Sequence, residues 1–420
     1  MRVRRLAASS CLVAALALGV AACGGDDDEG GGGGGGGAAE SVTIYSSLPL
    51  QGASRPQTTA LVEGMKLALE EAKNKAGSIS VKYVSLDDST AQAGTWTPEA
   101  TSANARKAAQ DDTTAVYLGE FNSGATAVSL PILNEAGVPQ VSPANTAVGL
   151  TTNEPGADKG EPEKYYPAGT RTYSRIVPKD TIQGAALVTL MKDEGCTKVQ
   201  LTNDKEVYGA GLGRNVEITA KEQGLEIISN DAIDKNAANY RSLAQKAKSA
   251  GADCFLFTGI TGNNAVQLYK DFRGALPDAK LYGPDGVAEA GFSDPKEGGI
   301  PANVQEKTKV TVATLDPEQY PPEGRKFFKD FEAKYGDKTP DPYAIYGYEA
   351  MQLALDAIKR SGTGSKEDVL KAIFDTKDRS SVLGTYSINE NGDTTLTDYG
   401  VYSIEDGELV FDQTIKAAAK

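Results

Sequence analysis

The chain has 420 residues, 40% of them hydrophobic and 24% charged, with a formal net charge of −14 and no histidine. That length predicts two globular domains rather than one core. The acidic balance excludes nucleic acid, which needs basic patches, and electrostatic adhesion to anionic lipid. Without histidine there is no usual catalytic triad and no His-ligated metal site. An enzyme would have to work with carboxylates, Tyr, Lys or Ser.

The chain opens on a targeting pattern. Arg2, Arg4 and Arg5 precede an apolar run from Cys11 to Val20 that is too short to span a bilayer. Val20-Ala21-Ala22-Cys23-Gly24 follows. It resembles a bacterial lipoprotein cleavage box, with residues 1–22 removed and Cys23 lipidated. An ordinary secretory peptide with an incidental Cys is the alternative. Residues 23–40 are acidic and then nearly pure Gly. They cannot bury apolar surface and predict a flexible tether.

From Val42 the pattern alternates strand and helix. Val42–Ser46 and Ile79–Leu86 are apolar strands, with a helix periodic in Leu61, Met65, Leu69 and Ala72 between them. A helix over Pro98–Gln110 leads to two further strands, Ala115–Leu118 and Val138–Val141. Each ends in a small, polar loop, Gly119–Gly124 and Ser142–Thr146, and Ala125–Ala136 reads as helix between them. In an open parallel sheet, ligands collect beyond the carboxyl ends of strands. A helix that starts in such a loop offers free N–H groups to an anion. Ser123 falls at the N-cap position. This loop pair is therefore expected to hold a small carboxylate.

Glu154–Tyr173 breaks the rhythm with Pro, Gly and charge, and reads as a long surface loop or crossover. A second series follows, with strands at Lys198–Thr202, Leu225–Ser229, Cys254–Thr258 and Lys280–Tyr282. Repeated βα units predict parallel sheets with helices on both faces. After a strand at Val310–Leu315 and three helices, Thr385–Ile388, Tyr399–Ile404 and Leu409–Phe411 are short strands. Asn391-Gly392 and Asp406-Gly407 are placed as their hairpin turns.

Cys196 and Cys254 remain once Cys11 and Cys23 are set aside. Both lie at the starts of strands. If those strands are neighbours, the two residues are level at one edge, and export permits a bridge. Two buried free thiols are the alternative. Gly209-Ala210-Gly211-Leu212-Gly213 lacks the Gly-x-Gly-x-x-Gly spacing of a nucleotide loop, because Arg214 takes the last position. It is expected to be a turn that lets Tyr208 project into a crevice. Asp285, in Gly283-Pro284-Asp285-Gly286, could pair with an ammonium or could simply serve its turn. Asp87 and Asp88 are expected to cap a turn, and Arg55 to be a solvated side chain at a helix entry. No residue cluster has metal-site or nucleophile spacing.

Several of these stretches occur together in one family. Gly119–Thr126, Gly137-Val138-Pro139 leading to Val141–Thr146, Asn203–Gly209 and Gly283–Gly286 stand in an order that resembles the solute-binding proteins of branched-chain amino-acid ABC importers. The resemblance covers the chain after the tether. It implies an α/β protein of two Rossmann-like lobes, each a parallel sheet flanked by helices, joined by a three-stranded hinge, with C-terminal β-hairpins. The first lobe would take residues 41–169 and 313–380, the second 170–312 and 381–420. By position, Ser123, Ala144 and Thr146 would hold the ligand's carboxylate and ammonium, with Phe121 and Asn122 in the same loop. Asp285 would pair with the ammonium and Tyr208 would close over the ligand. The implied protein is an extracytoplasmic, lipid-anchored monomer without cofactor or enzymatic activity, serving ABC permease subunits. A sensory lobe pair for a membrane receptor, or a binder of amides or aromatic acids, are the alternatives. Ser54 and Arg55 stand where the family often has an aromatic, and Gly259-Ile260-Thr261 where a pocket Tyr is common.

Overall fold

The computed structural model describes residues 39–416. The expected signal segment, Cys23 and the tether up to residue 38 lie outside them. Within the described residues two large sheets form, beside two small two-stranded ones. The first runs Ile79–Asp87, Ser41–Leu48, Thr114–Gly119, Gln140–Ser142 and Tyr173–Arg175, all parallel, with a two-residue antiparallel strand at Lys75–Ala76 on its edge. The second runs Glu226–Ala232, Lys198–Asn203, Cys254–Thr258, Lys280–Gly283 and Thr308–Val312 in parallel, then Asp398–Glu405 and Glu408–Lys416 antiparallel. Central strands such as Thr114–Gly119 and Cys254–Thr258 are buried along their whole length. That is why they read as continuous apolar runs and not as alternation.

The helices start and stop where local chemistry directs. Pro56 sits in the first turn of the Arg55–Glu71 helix, where its missing N–H costs nothing. Thr97 caps Pro98–Gln110 by accepting from the Ala100 N–H. Gly224, at φ 72°, ends Val207–Gln223 in the left-handed conformation.

The chain passes between the sheets three times. It leaves the first sheet after Arg175 and enters the Asp180–Asp193 helix of the second half. It returns after Val312 to helices at Pro322–Tyr335, Ala344–Ser361 and Lys366–Phe374. It leaves again before Asp398. Strand Tyr173–Arg175 therefore belongs to the first sheet, a few residues beyond the expected division at 169/170. Gly384–Tyr386 pairs back onto Arg379–Ser381 and not across Asn391-Gly392, where a single bridge joins Ile388 and Thr394. Asp406-Gly407 does turn a hairpin, and its strands extend the second sheet.

The glycines after Tyr208 are not a turn. They lie inside the Val207–Gln223 helix. A Cβ at Gly209 would stand 2.5 Å from the Thr258 carbonyl oxygen, so the glycine lets this helix lie directly on the strand ends.

Cys196 and Cys254 form a disulfide, with Cα atoms 5.9 Å apart and a sequence separation of 58. Cys254 lies beside Val199 on the neighbouring strand, so the bridge closes the sheet's N-terminal edge. Reducing it should lower the unfolding free energy by about 2–4 kcal/mol through the freed chain entropy. Urea unfolding with and without reductant measures this; identical midpoints would contradict it.

Candidate functional site

The carboxyl ends of both sheets face one cleft. From the first half it is lined by Trp96, Phe121, Asn122, Ser123, Gly124, Ala144, Thr146 and Tyr343. From the second half it is lined by Glu206, Tyr208, Ile260, Asp285 and Gly286. All seven residues expected to bind ligand, Phe121, Asn122, Ser123, Ala144, Thr146, Tyr208 and Asp285, are brought together here. Arg55 is exposed outside it.

The first-half wall is built from two strand-end loops tied to each other. The Asn145 amide donates to the Phe121 carbonyl at 2.9 Å, and its oxygen accepts from Thr126 and Tyr173. Ser142 donates to the Glu120 carbonyl at 2.9 Å and accepts from the N–H groups of Ala144 and Asn145. Beneath the second loop lies Arg175, fully buried. It donates to the carbonyls of Asn145 and Ala147 at 3.2 and 2.8 Å, to Thr151, and to Asp393 at 2.8 Å. Sequence reasoning passed over Arg175. It pins the loop's carbonyls inward, which leaves the other side of the loop for a ligand.

Ser123 is the first residue of the Ser123–Glu135 helix, and Asn122 is its N-cap, one residue earlier than expected. The Asn122 side chain makes no capping bond. Its buried Oδ1 has no hydrogen-bond partner among the described residues, and neither has the Thr146 hydroxyl. A helix N-terminus presents unpaired N–H groups and the positive end of its dipole. This wall suits a carboxylate.

The opposite wall is acidic. Asp285, 5% exposed, accepts from the Tyr208 hydroxyl at 2.5 Å and from the Tyr343 hydroxyl at 2.8 Å. Tyr208 belongs to the second half and Tyr343 to the first, so one carboxyl group bridges the cleft. Burial pushes the Asp285 carboxyl above its ordinary range, against the pull of those hydroxyls. Burial and the neighbouring Asp285 hold both tyrosines far above their usual range. Asp180 lies behind, fully buried at the start of its helix and beside the Thr146 hydroxyl, with neither carboxyl oxygen well hydrogen-bonded. Burial, then Asp285, pushes its carboxyl well up. Among the described residues no Lys or Arg lines the cleft. A buried acid with neutral partners and no cation is set to receive one from a ligand.

Outside the cleft the halves also meet through carboxyls. Glu289 accepts from Ser54 at 3.2 Å, with its second oxygen buried and unpartnered. Asp341 accepts from the Ala290 N–H at 3.1 Å. Burial raises the Glu289 carboxyl to about 7 and Asp341 to about 6. Asp87 caps a turn as expected, accepting from the Leu50 and Ser89 N–H groups. Asp88 does not: it is buried near Glu120, and burial and that neighbouring carboxyl push it well above its usual range, with neither of its oxygens hydrogen-bonded among the described residues. Near the disulfide, Asp253 completes the one acidic and thiol cluster found among the described residues. Its sulfurs are bonded to each other, so it offers no metal site.

Trp96, Tyr343, Glu206 and Asp180 were missed from sequence. Trp96 sits on a small hairpin, Ser89–Thr90 with Thr95–Trp96, that carries no periodicity. Tyr343 comes from a distant segment that returns to the first half.

Comparison with known proteins agrees with this arrangement. The periplasmic binding protein family model matches residues 41–408. A Leu/Ile/Val-binding protein homolog of Brucella melitensis is 24% identical over 370 residues, which is 87% of this chain and 91% of that one. The crystal structure of a leucine-binding protein from Thermotoga maritima superposes with a TM-score of 0.77 at 24% identity, covering 89% of this chain and 99% of that one. A solute-binding protein from R. palustris in complex with benzoate gives 0.72 at 20% identity, covering 90% and 98%. No helix among the described residues is long and apolar enough to cross a membrane. With two sheets, three crossovers and one cleft at their strand ends, the chain belongs to the periplasmic binding protein family, whose members are extracytoplasmic solute-binding proteins.

Proposed function

We propose that this protein is the receptor of an ABC importer, binding an amino acid of branched-chain or related type by closing its two halves around it. The observation that carries this reading is Asp285, an acid without a cation, facing a helix N-terminus across the cleft. A zwitterion needs both signs fixed in space, and charge-assisted hydrogen bonds supply that. Tyr343 and Tyr208 hold Asp285 from both halves, so a ligand ammonium there adds its attraction only when the halves are together. The relatives named for leucine, isoleucine and valine support the ligand class. The benzoate complex keeps aromatic acids as the second reading, since Phe121, Trp96 and Tyr343 line the same cleft. In this reading the protein works as a monomer, without cofactor or turnover, tethered through lipid on Cys23 and docking on permease subunits.

A thermal-shift screen of amino acids and simple carboxylates tests the reading. A true ligand stabilises the fold by about 2.7 kcal/mol at a hundredfold excess over its Kd, and is recovered unchanged. A stabilising compound that is consumed would indicate an enzyme. Asp285→Ala should weaken amino-acid binding by about a hundredfold, the scale of losing a buried charge partner, but weaken simple carboxylates much less. Equal loss for both classes would assign Asp285 a structural role only.

Closure should also depend on pH. Glu289 holds its proton to about 7 when buried between the halves, and to 4.5 in water. Closing therefore takes up a proton between those values, so the Glu289 contribution to affinity is greatest below pH 4.5, falls as pH rises, and levels off above 7, while protonation of Asp285 at the acid end removes the ammonium's partner. The slope reaches about tenfold per pH unit for each proton coupled, with Asp341 contributing to the same fall. Calorimetric titration across this window should show a shallower slope in Glu289→Gln; an unchanged slope would remove Glu289 from the linkage.

A further inference from the structure

Beside the expected positions of an ammonium on Asp285 and a carboxylate by Ser123, the cleft has a corner that a ligand's side chain can enter. It is made by Trp96, Gly124 and Glu206. A Cβ at Gly124 would stand 2.6 Å from the Trp96 ring, so this glycine admits the ring, and Glu206 Oε2 lies beside it, 3.4 Å from the same point. The two oxygens of Glu206 are used differently. Oε1 pairs with Lys235 at 3.4 Å on the outside, while Oε2 faces Gly124 in the cleft.

We infer that Glu206 and Trp96 select an amino acid whose side chain ends in an N–H donor, an amide or an ammonium, over a purely aliphatic one. This rests on the amino-acid reading above. An aliphatic side chain would desolvate the Glu206 carboxylate and leave it without a replacement partner, which is costly. An N–H group would satisfy it with a charge-assisted bond. The Trp96 ring lines the same corner, and aromatic rings attract cations. The neighbouring Asn122 amide, whose buried Oδ1 is unpartnered, provides a further acceptor. Among the described residues Lys and Arg are absent from the lining, so none of their cations competes for Oε2 inside the cleft.

Calorimetric titration with L-glutamine, L-lysine and L-leucine tests this on the wild type and on Glu206→Leu. The wild type should bind glutamine or lysine at least about tenfold tighter than leucine, the scale of one hydrogen bond to a charged group. Glu206→Leu should shrink that ratio at least about tenfold. Glu206 is partly exposed, so the variant should keep the wild-type melting temperature. Tighter binding of leucine by the wild type would overturn the inference while leaving the amino-acid reading standing. So would equal weakening of all three ligands by the substitution. Binding of benzoate but of none of the three would overturn the amino-acid reading, and this inference with it.

Discussion

A single buried carboxyl group governs how this molecule is put together. Asp285 has no cation beside it, and what stabilises it is a pair of phenolic hydroxyls, one from each half of the fold. Burying such a group is unfavourable unless hydrogen bonds replace the lost water. Two neutral donors offset part of that cost and leave the charge uncompensated. The arrangement is therefore tight in geometry and incomplete in electrostatics, as expected of a site that a ligand finishes.

The rest of the cleft holds that incompleteness in place. Asn145 ties the loop after one strand to the loop after the next, and Arg175 ties the second loop to Asp393 on the third crossover. Lys179, on the first crossover, lies 3.5 Å from the same Asp393. The wall that faces the ligand's carboxylate is thus fastened to the segments about which the halves must turn. A ligand that draws the two walls together acts on elements already linked by buried hydrogen bonds. Glu289 and Asp341 then meet the other half outside the cleft, where burial raises both carboxyls.

Much of this was legible in the sequence, because parallel βα units declare themselves through continuous apolar strands and the small polar loops that follow. The loops at Phe121–Ser123 and Ala144–Thr146 and the turn at Asp285 could be read because each follows such a strand directly. Other parts could not. Trp96 stands on a hairpin of two-residue strands, too short for any period. Tyr343 reaches the cleft only because the chain crosses back to the first half. Asp88 resembled a turn cap beside Asp87, and its burial against Glu120 depends on a strand that pairs from far along the chain. The Gly209–Gly213 stretch looked like a loop because glycine weakens helices; packing against Thr258 outweighs that local preference.

The crystal structure of the protein with a bound amino acid would test the central claim most directly. The account predicts the ligand's ammonium nitrogen within about 3 Å of the Asp285 carboxylate, and its carboxylate at Ser123 and the Ala144–Thr146 loop. A ligand with its carboxylate turned toward Asp285, or one bound outside this cleft, would contradict it.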